Sequence, residues 1–292
     1  MKELPVALAL ASLLAAPVAM AKTVNTVASF SVLADIVKQV GGSHVNVKSL
    51  VGPDGDPHSF EPTPQDSLAL AKADVVFVSG LGLEGWMERL IKASGYKGEV
   101  IVSSAGIATR SMEEDGKAIT DPHAWNSMMN GMIYATNVMN ALIKADPDDA
   151  DYFRQQGSAY IAQLKKLDRW AQSSFAAIPL EKRKVLTSHD AFGYFGQRYG
   201  VIFMSSVGFS TESEASASDV AALITQLKSE HIHTYFIENQ TDPRLVKQIA
   251  ASSNAQPGGE LYPEALTRKE GAAASYTAAF THNVKAMVAS MK

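Results

Sequence analysis

Apolar residues fall along this chain in two alternating patterns. Short β-branched or apolar runs, "VNTVASF", "VNVKSLV", "DVVFVSG" and "GEVIVSS", have the length of strands. Between them, stretches such as "SVLADIVKQVGG" and "LGLEGWMERLIKASG" repeat their apolar residues at helical spacing. A second series follows, "KVLTSH", "VIFMSSVG", "TYFIEN" and "GGELY", interleaved with "ASASDVAALITQLKSEH" and "DPRLVKQIAASSN". Strands alternating with helices predict mostly parallel sheets flanked by helices, so the expected fold class is α/β with two βα lobes.

The two series are separated by "DPDDADYFRQQGSAYIAQLKKLDRWAQSSFAAIP", residues 146–179. Asp146 is the expected N-cap, Pro147 suits a first helical turn, and Asp148 and Asp149 favour the positive end of the helix dipole. Phe153, Tyr160, Leu164, Leu167 and Ala171 mark its apolar face. Roughly 30 residues would make a helix about 45 Å long, enough to run the length of both lobes. Gly157 opposes it by about 1 kcal/mol relative to alanine. The expected organisation is a leader at 1–21, a first lobe at 22–145, a linking helix at 146–179 and a second lobe at 180–292.

The leader is read from Lys2, an apolar run beginning at Leu4, and Ala19 and Ala21 in an A-x-A pattern that places cleavage after Ala21. A buried N-terminal helix is the weaker reading, because the stretch is apolar on all faces; Glu3 is untypical of a leader. No later stretch is long and apolar enough to span a bilayer, so the exported protein is expected to be soluble. The absence of cysteine removes disulfides, thiolate metal sites and a lipid-modified N-terminal cysteine, which points to the periplasm of a two-membrane bacterium. A net charge of -4 gives no electrostatic footprint for nucleic acid or an anionic membrane.

With thiolates excluded, the 7 histidines become more telling. Asp-Pro-His occurs twice, ending at His58 and at His123, each time between a strand and a helix-like stretch. Proline fixes its own φ and keeps the preceding Asp out of helix, so each imidazole is presented from a stiff turn. His189 closes the strand "KVLTSH" in the second lobe. Ligands of open α/β sheets bind at strand carboxyl ends. One such histidine would be read as structural; three in the same context point to convergence on the cleft.

Other residues take simpler readings. His231 and His233 belong to an edge or turn, and His44 and His282 are expected to be solvated. Glu61 and Asp66 are expected to cap the helix after His58, and the methionines of "NSMMNGMIYATNVMN" to pack a helix core.

In order and spacing, "GPDGDPHSFEPTPQD", "DPHAWNS", "TSHDAFGYFGQRYG", "FIENQTDPRL" and "GGELYPEALT" resemble the periplasmic metal-binding proteins of zinc and manganese ABC transporters. The resemblance covers essentially the whole chain after the leader. It implies two α/β lobes joined by one long rigid helix, with the metal in the interlobe cleft. It also implies a ligand set of His58, His123 and His189 with a late carboxylate. Glu264 stands where the family usually has aspartate, with Glu260 as the substitute. Manganese-preferring members commonly carry glutamate at the third position, so His189 implies the zinc type. Three imidazoles and one carboxylate suit tetrahedral Zn²⁺, whereas Mn²⁺ favours more oxygen donors.

Zinc members often carry a His-rich loop before the second ligand; here the interval is only "SMEEDGKAIT". Glu238, ending a strand that faces the cleft, is placed to accept a proton from a ligand imidazole. The implied function is a monomeric, non-enzymatic carrier that binds Zn²⁺ and delivers it to an ABC-transporter membrane permease. Alternatives are an Mn²⁺ carrier, a zinc hydrolase using the same three histidines, and a metal-independent receptor. Against the hydrolase stand the lack of an H-E-x-x-H motif and a fourth donor that would close the site.

Overall fold

The computed structural model describes residues 23–114, 116–208 and 216–292, and the expected leader with its cleavage point after Ala21 lies outside them. The first lobe runs β1 (Val24–Ala28), α1 (Ser31–Gly41), β2 (Val45–Ser49), α2 (Pro64–Ala71), β3 (Val75–Val78), α3 (Met87–Ser94) and β4 (Glu99–Val102). Its strands are parallel, in the order β2-β1-β3-β4. The four residues of β3 are all buried, as a central strand covered on both faces requires. Thr63 and Asp66 form a reciprocal capping box at the start of α2, with Pro64 in its first turn. Asp66 thus caps as expected, while Glu61 is exposed.

After β4 the chain makes an antiparallel hairpin, β5 (Ser111–Glu114) and β6 (Lys117–Thr120), in the interval without histidines. It continues through α4 (Met128–Ala145) and α5 (Ala150–Ala176). The second sheet comprises β7 (Lys184–His189), β8 (Ile202–Val207), β9 (Thr234–Glu238) and β10 (Gln256–Leu261), parallel in the order β10-β9-β7-β8. Helices α6 (Gly193–Tyr199), α7 (Ala217–Ser229) and α8 (Arg244–Ser253) connect these strands, and α9 (Tyr276–Ser290) follows β10. Pro257 lies on β10, an edge strand, where a missing N–H is tolerated.

The helix expected from Asp146 begins three residues after Pro147. Asp146 lies outside the helical region, at φ -140° and ψ 87°, as proline disfavours helix in the residue before it, and Pro147–Asp149 form a 3₁₀ turn. At 27 residues α5 is about 40 Å long. Its buried stripe is Phe153, Gly157, Tyr160, Leu164, Asp168, Ala171 and Phe175. Asp168 takes a place that the apolar spacing gave to Leu167, which is only half-buried. The buried carboxylate accepts hydrogen bonds from Arg198 Nε at 3.0 Å and Tyr199 Oη at 3.0 Å. Gly157 is explained by packing, since a Cβ there would lie 2.6 Å from Met139 Sδ on α4.

Two histidines expected in solvent are structural. His44 Nδ1 lies 2.6 Å from Asp149 Oδ2, and its ring stacks on Tyr152 at 3.8 Å, tying the first lobe to the start of α5. His282 Nε2 lies 3.0 Å from the Glu260 carbonyl. His231 and His233 are exposed in the turn before β9. Of the methionines on α4, Met128 is buried, Met132 and Met139 pack partly against the core, and Met129 is exposed.

The main apolar core is continuous from the first sheet through α4 and α5 into α6 and α9. A smaller cluster, Leu186, Leu227, Ile232, Val246 and Ile249, fills the far side of the second sheet.

Candidate metal centre

Each sheet reverses its strand order once, between β1 and β3 in the first and between β7 and β9 in the second. Such switch points open a crevice at the strand carboxyl ends. His189 is the last residue of β7 and Glu238 the last of β9, so both stand at the second switch point. His58 lies in the loop between β2 and α2, and His123 immediately precedes a 3₁₀ turn, Ala124–Asn126, at the start of α4. Glu264 lies in the loop after β10.

These loops bring His58, His123, His189 and Glu264 together, with one potential ligand atom from each lying within 4.8 Å of the others. The side chains of His123, His189 and Glu264 are fully buried and that of His58 is 4% exposed. Glu264 Oε1 is the centre of the cluster. It lies 2.9 Å from His58 Nε2, 3.1 Å from His123 Nε2 and 2.5 Å from His189 Nε2. His58 Nε2 and His123 Nε2 are 3.3 Å apart. Glu260 lies outside the cluster and accepts the Tyr262 hydroxyl at 2.7 Å.

The orientation of two imidazoles is set from behind. His123 donates Nδ1–H to Asp121 Oδ1 at 2.9 Å, and the same oxygen accepts the His123 amide at 2.9 Å. Asp121 in turn is paired with the Arg110 guanidinium. His189 Nδ1 donates to Glu238 Oε2, while Glu238 Oε1 accepts the amides of Ser188 at 3.1 Å and His189 at 3.3 Å. A carboxylate on Nδ1 fixes the tautomer and turns Nε2 toward the cleft. The Asp of the first tripeptide has a related role, since Asp56 Oδ1 accepts the His58 amide at 2.8 Å.

Glu238 was legible as a strand-end carboxylate, whereas Asp121 and Arg110 were missed. The signal for Asp121 lay inside Asp-Pro-His itself, where a side chain two residues back can close a turn onto the histidine amide.

The electrostatics are those of a compact charged cluster. Burial alone would push the Glu264 carboxyl up, but the charges of His58 and His189 and the hydrogen bonds of His123 and His189 hold it well below the usual carboxylate range. Burial likewise disfavours a charged His189, yet Glu238 and Glu264 outweigh it and hold that imidazole well above its ordinary value. His123 is raised in the same way, against burial, by Asp121 and Glu264. Burial opposes ionisation of Asp121 too, but His123 and Arg110 keep it below the ordinary value. The cluster therefore holds protons on imidazole nitrogens that a cation would replace.

The donor set fits a small divalent cation. Tetrahedral Zn²⁺ with Zn–N bonds of about 2.0–2.1 Å places neighbouring donors roughly 3.3 Å apart, the spacing found between His58 and His123. Glu264 Oε2 is buried without a hydrogen-bond partner, a costly state for a carboxylate oxygen unless a cation shares its charge.

Residues 26–290 match the family described as zinc-uptake complex component A, periplasmic. The chain belongs to this family. Its members are substrate-binding components of metal ABC transporters, which work outside the cytoplasmic membrane with a permease as partner. The chain is 32% identical over 272 residues to the metal ABC transporter substrate-binding lipoprotein SloC of Streptococcus mutans, covering 90% of this chain and 88% of that protein. It is 34% identical over 272 residues to the manganese-binding lipoprotein MntA of Bacillus subtilis, covering 91% and 89%. The fold matches the periplasmic zinc-binding protein TroA of Treponema pallidum with a TM-score of 0.87 at 31% identity, covering 92% of this chain and 99% of that one. These family members differ in the metal they are named for, so the metal of this chain has to be argued from its own donors. Among the described residues, no helix is long and apolar enough to cross a membrane.

Proposed function

We propose that this chain is a periplasmic zinc carrier, exported by a leader cleaved after Ala21. It binds Zn²⁺ through His58, His123, His189 and Glu264 and delivers it, as a monomer, to its permease. The observation that carries this reading is the convergence of three imidazole Nε2 atoms on one carboxylate oxygen, at 2.9, 3.1 and 2.5 Å. An imidazole at 189, where a second carboxylate would add oxygen, favours Zn²⁺ over Mn²⁺. Four protein donors leave a tetrahedral ion no position for an activated water, which favours a carrier over a hydrolase. All four come from one chain, so the site needs no second copy.

A manganese reading is supported by the name of the Bacillus subtilis relative. Elemental analysis of tag-free protein decides between them. Stoichiometric zinc is expected in the wild type and none in His58→Ala/His189→Ala, with zinc displacing manganese in competition. Retention of manganese against equimolar zinc would favour the manganese carrier, and hydrolysis of ester or peptide substrates by zinc-loaded protein would favour the enzyme.

A further inference from the structure

Glu264 follows the second sheet in the chain, yet the first lobe reaches across to bond its loop on both flanks. On its N-terminal side, the Pro263 carbonyl accepts the Trp125 indole N–H at 2.7 Å. On its C-terminal side, the Leu266 amide donates to Ser31 Oγ at 3.0 Å and the Leu266 carbonyl accepts the Asp54 amide at 2.9 Å. Further along, the Tyr276 hydroxyl donates to the Trp125 carbonyl. The second lobe holds the start of the loop, where Asn283 bonds the amide and the carbonyl of Tyr262 at 2.9 Å each, and adds Asn239 Nδ2 to the Ala265 carbonyl at 3.3 Å.

Trp125 is the centre of this arrangement. It is 1% exposed, its ring packs on Phe30 at 4.7 Å, and it meets the His123 ring edge-on at 5.6 Å. It also sits in the 3₁₀ turn that begins just after His123. One short turn therefore presents His123 directly and fixes the backbone beside Glu264 through the indole.

We propose that Trp125 is a positioning residue that sets the reach of the Glu264 carboxylate and thereby the balance between four-coordinate and higher-coordinate cations. The inference rests on the ligand set proposed above. Held at both flanks, Glu264 turns Oε1 alone onto the three imidazoles, while Oε2 is buried and unpartnered. One carboxylate oxygen with three nitrogens makes a tetrahedral set. A loop released from the indole lets both oxygens reach the ion, which adds the oxygen donor and the higher coordination that Mn²⁺ favours.

The test compares wild type, Trp125→Phe, Ser31→Ala and Glu264→Gln, each titrated with zinc and with manganese alone. Trp125→Phe keeps a ring in the core and deletes only the indole and its N–H. It is expected to weaken zinc by about tenfold, the loss of one buried hydrogen bond, while manganese is unchanged. Ser31→Ala, which removes one of the two bonds on the opposite flank and leaves the Trp125 ring in place, shifts the ratio in the same direction and serves if Trp125→Phe folds poorly. The visible spectrum of the cobalt-loaded protein supplies a signature of the donor set, and in Trp125→Phe its bands lose intensity as coordination rises. Equal weakening of both metals with an unaltered cobalt spectrum, or no change in either variant, would overturn the role of Trp125. Glu264→Gln that binds zinc like the wild type would overturn the ligand set itself, and the positioning claim with it.

Discussion

At the residue scale, the determining feature is the group behind each imidazole. Glu238 does two things at once: one oxygen takes His189 Nδ1–H and the other takes two backbone amides. Glutamine can offer only one accepting oxygen there. Glu238→Gln must therefore leave either the amides or the imidazole without an acceptor, and it is expected to reduce zinc affinity about 10- to 100-fold. Competition with a chromophoric chelator measures this, and unchanged affinity would remove Glu238 from the site. The histidines themselves were legible because each ends a strand or follows a proline turn. Arg110 was not, because its partner Asp121 lies across the base of a hairpin that no apolar period marks.

At the scale of elements, α5 is where local preference and packing disagree. Helix propensity favours alanine at 157 by about 1 kcal/mol. The close approach to α4 opposes it, since a Cβ would meet Met139 Sδ at 2.6 Å and Cγ at 2.9 Å. Overpacking of this kind costs about 1–3 kcal/mol, so Gly157→Ala is expected to lower the melting temperature without altering metal stoichiometry. A rise in melting temperature on thermal scanning would show that Met139 gives way freely.

Most helices could be read from their period, because each buries one face, and the strands from short apolar runs, because a strand such as β3 is covered on both faces. Asp168 could not, because a buried carboxylate breaks the apolar stripe and is explained only by Arg198 and Tyr199, some thirty residues further on. Asp146 and Pro147 do open the helical segment, but as the N-cap and first residue of a 3₁₀ turn that runs into α5. The carboxylate at Asp149 is bonded to His44, and α5 begins after it.

At the scale of the molecule, the proposed ligand set would link metal binding to proton binding. His189 is held above its ordinary value of 6.5, so its contribution to the metal-free fold is complete below that value and is lost as pH rises through the raised one. Glu264 is held below its ordinary value of 4.5, so its contribution is complete above that value and is lost as pH falls through the lowered one. The cluster thus stabilises the metal-free protein most between the two ordinary values. Zinc needs neutral imidazoles and runs the other way. The rise in melting temperature given by a fixed zinc excess is expected to be larger at about pH 8 than at about pH 6. An equal or smaller rise at the higher pH, read by thermal scanning, would contradict this coupling.

His58 and Glu264 are 206 residues apart in the chain, and Glu264 follows the last of the ten described strands. Closing a loop of that length costs chain entropy, and the core that runs from the first sheet to α9 offsets it by burial without the ion. The ion is therefore no nucleus for this fold, as it is for a zinc finger. The packed core includes none of the four proposed ligands, so an ion held there could leave without unpacking it.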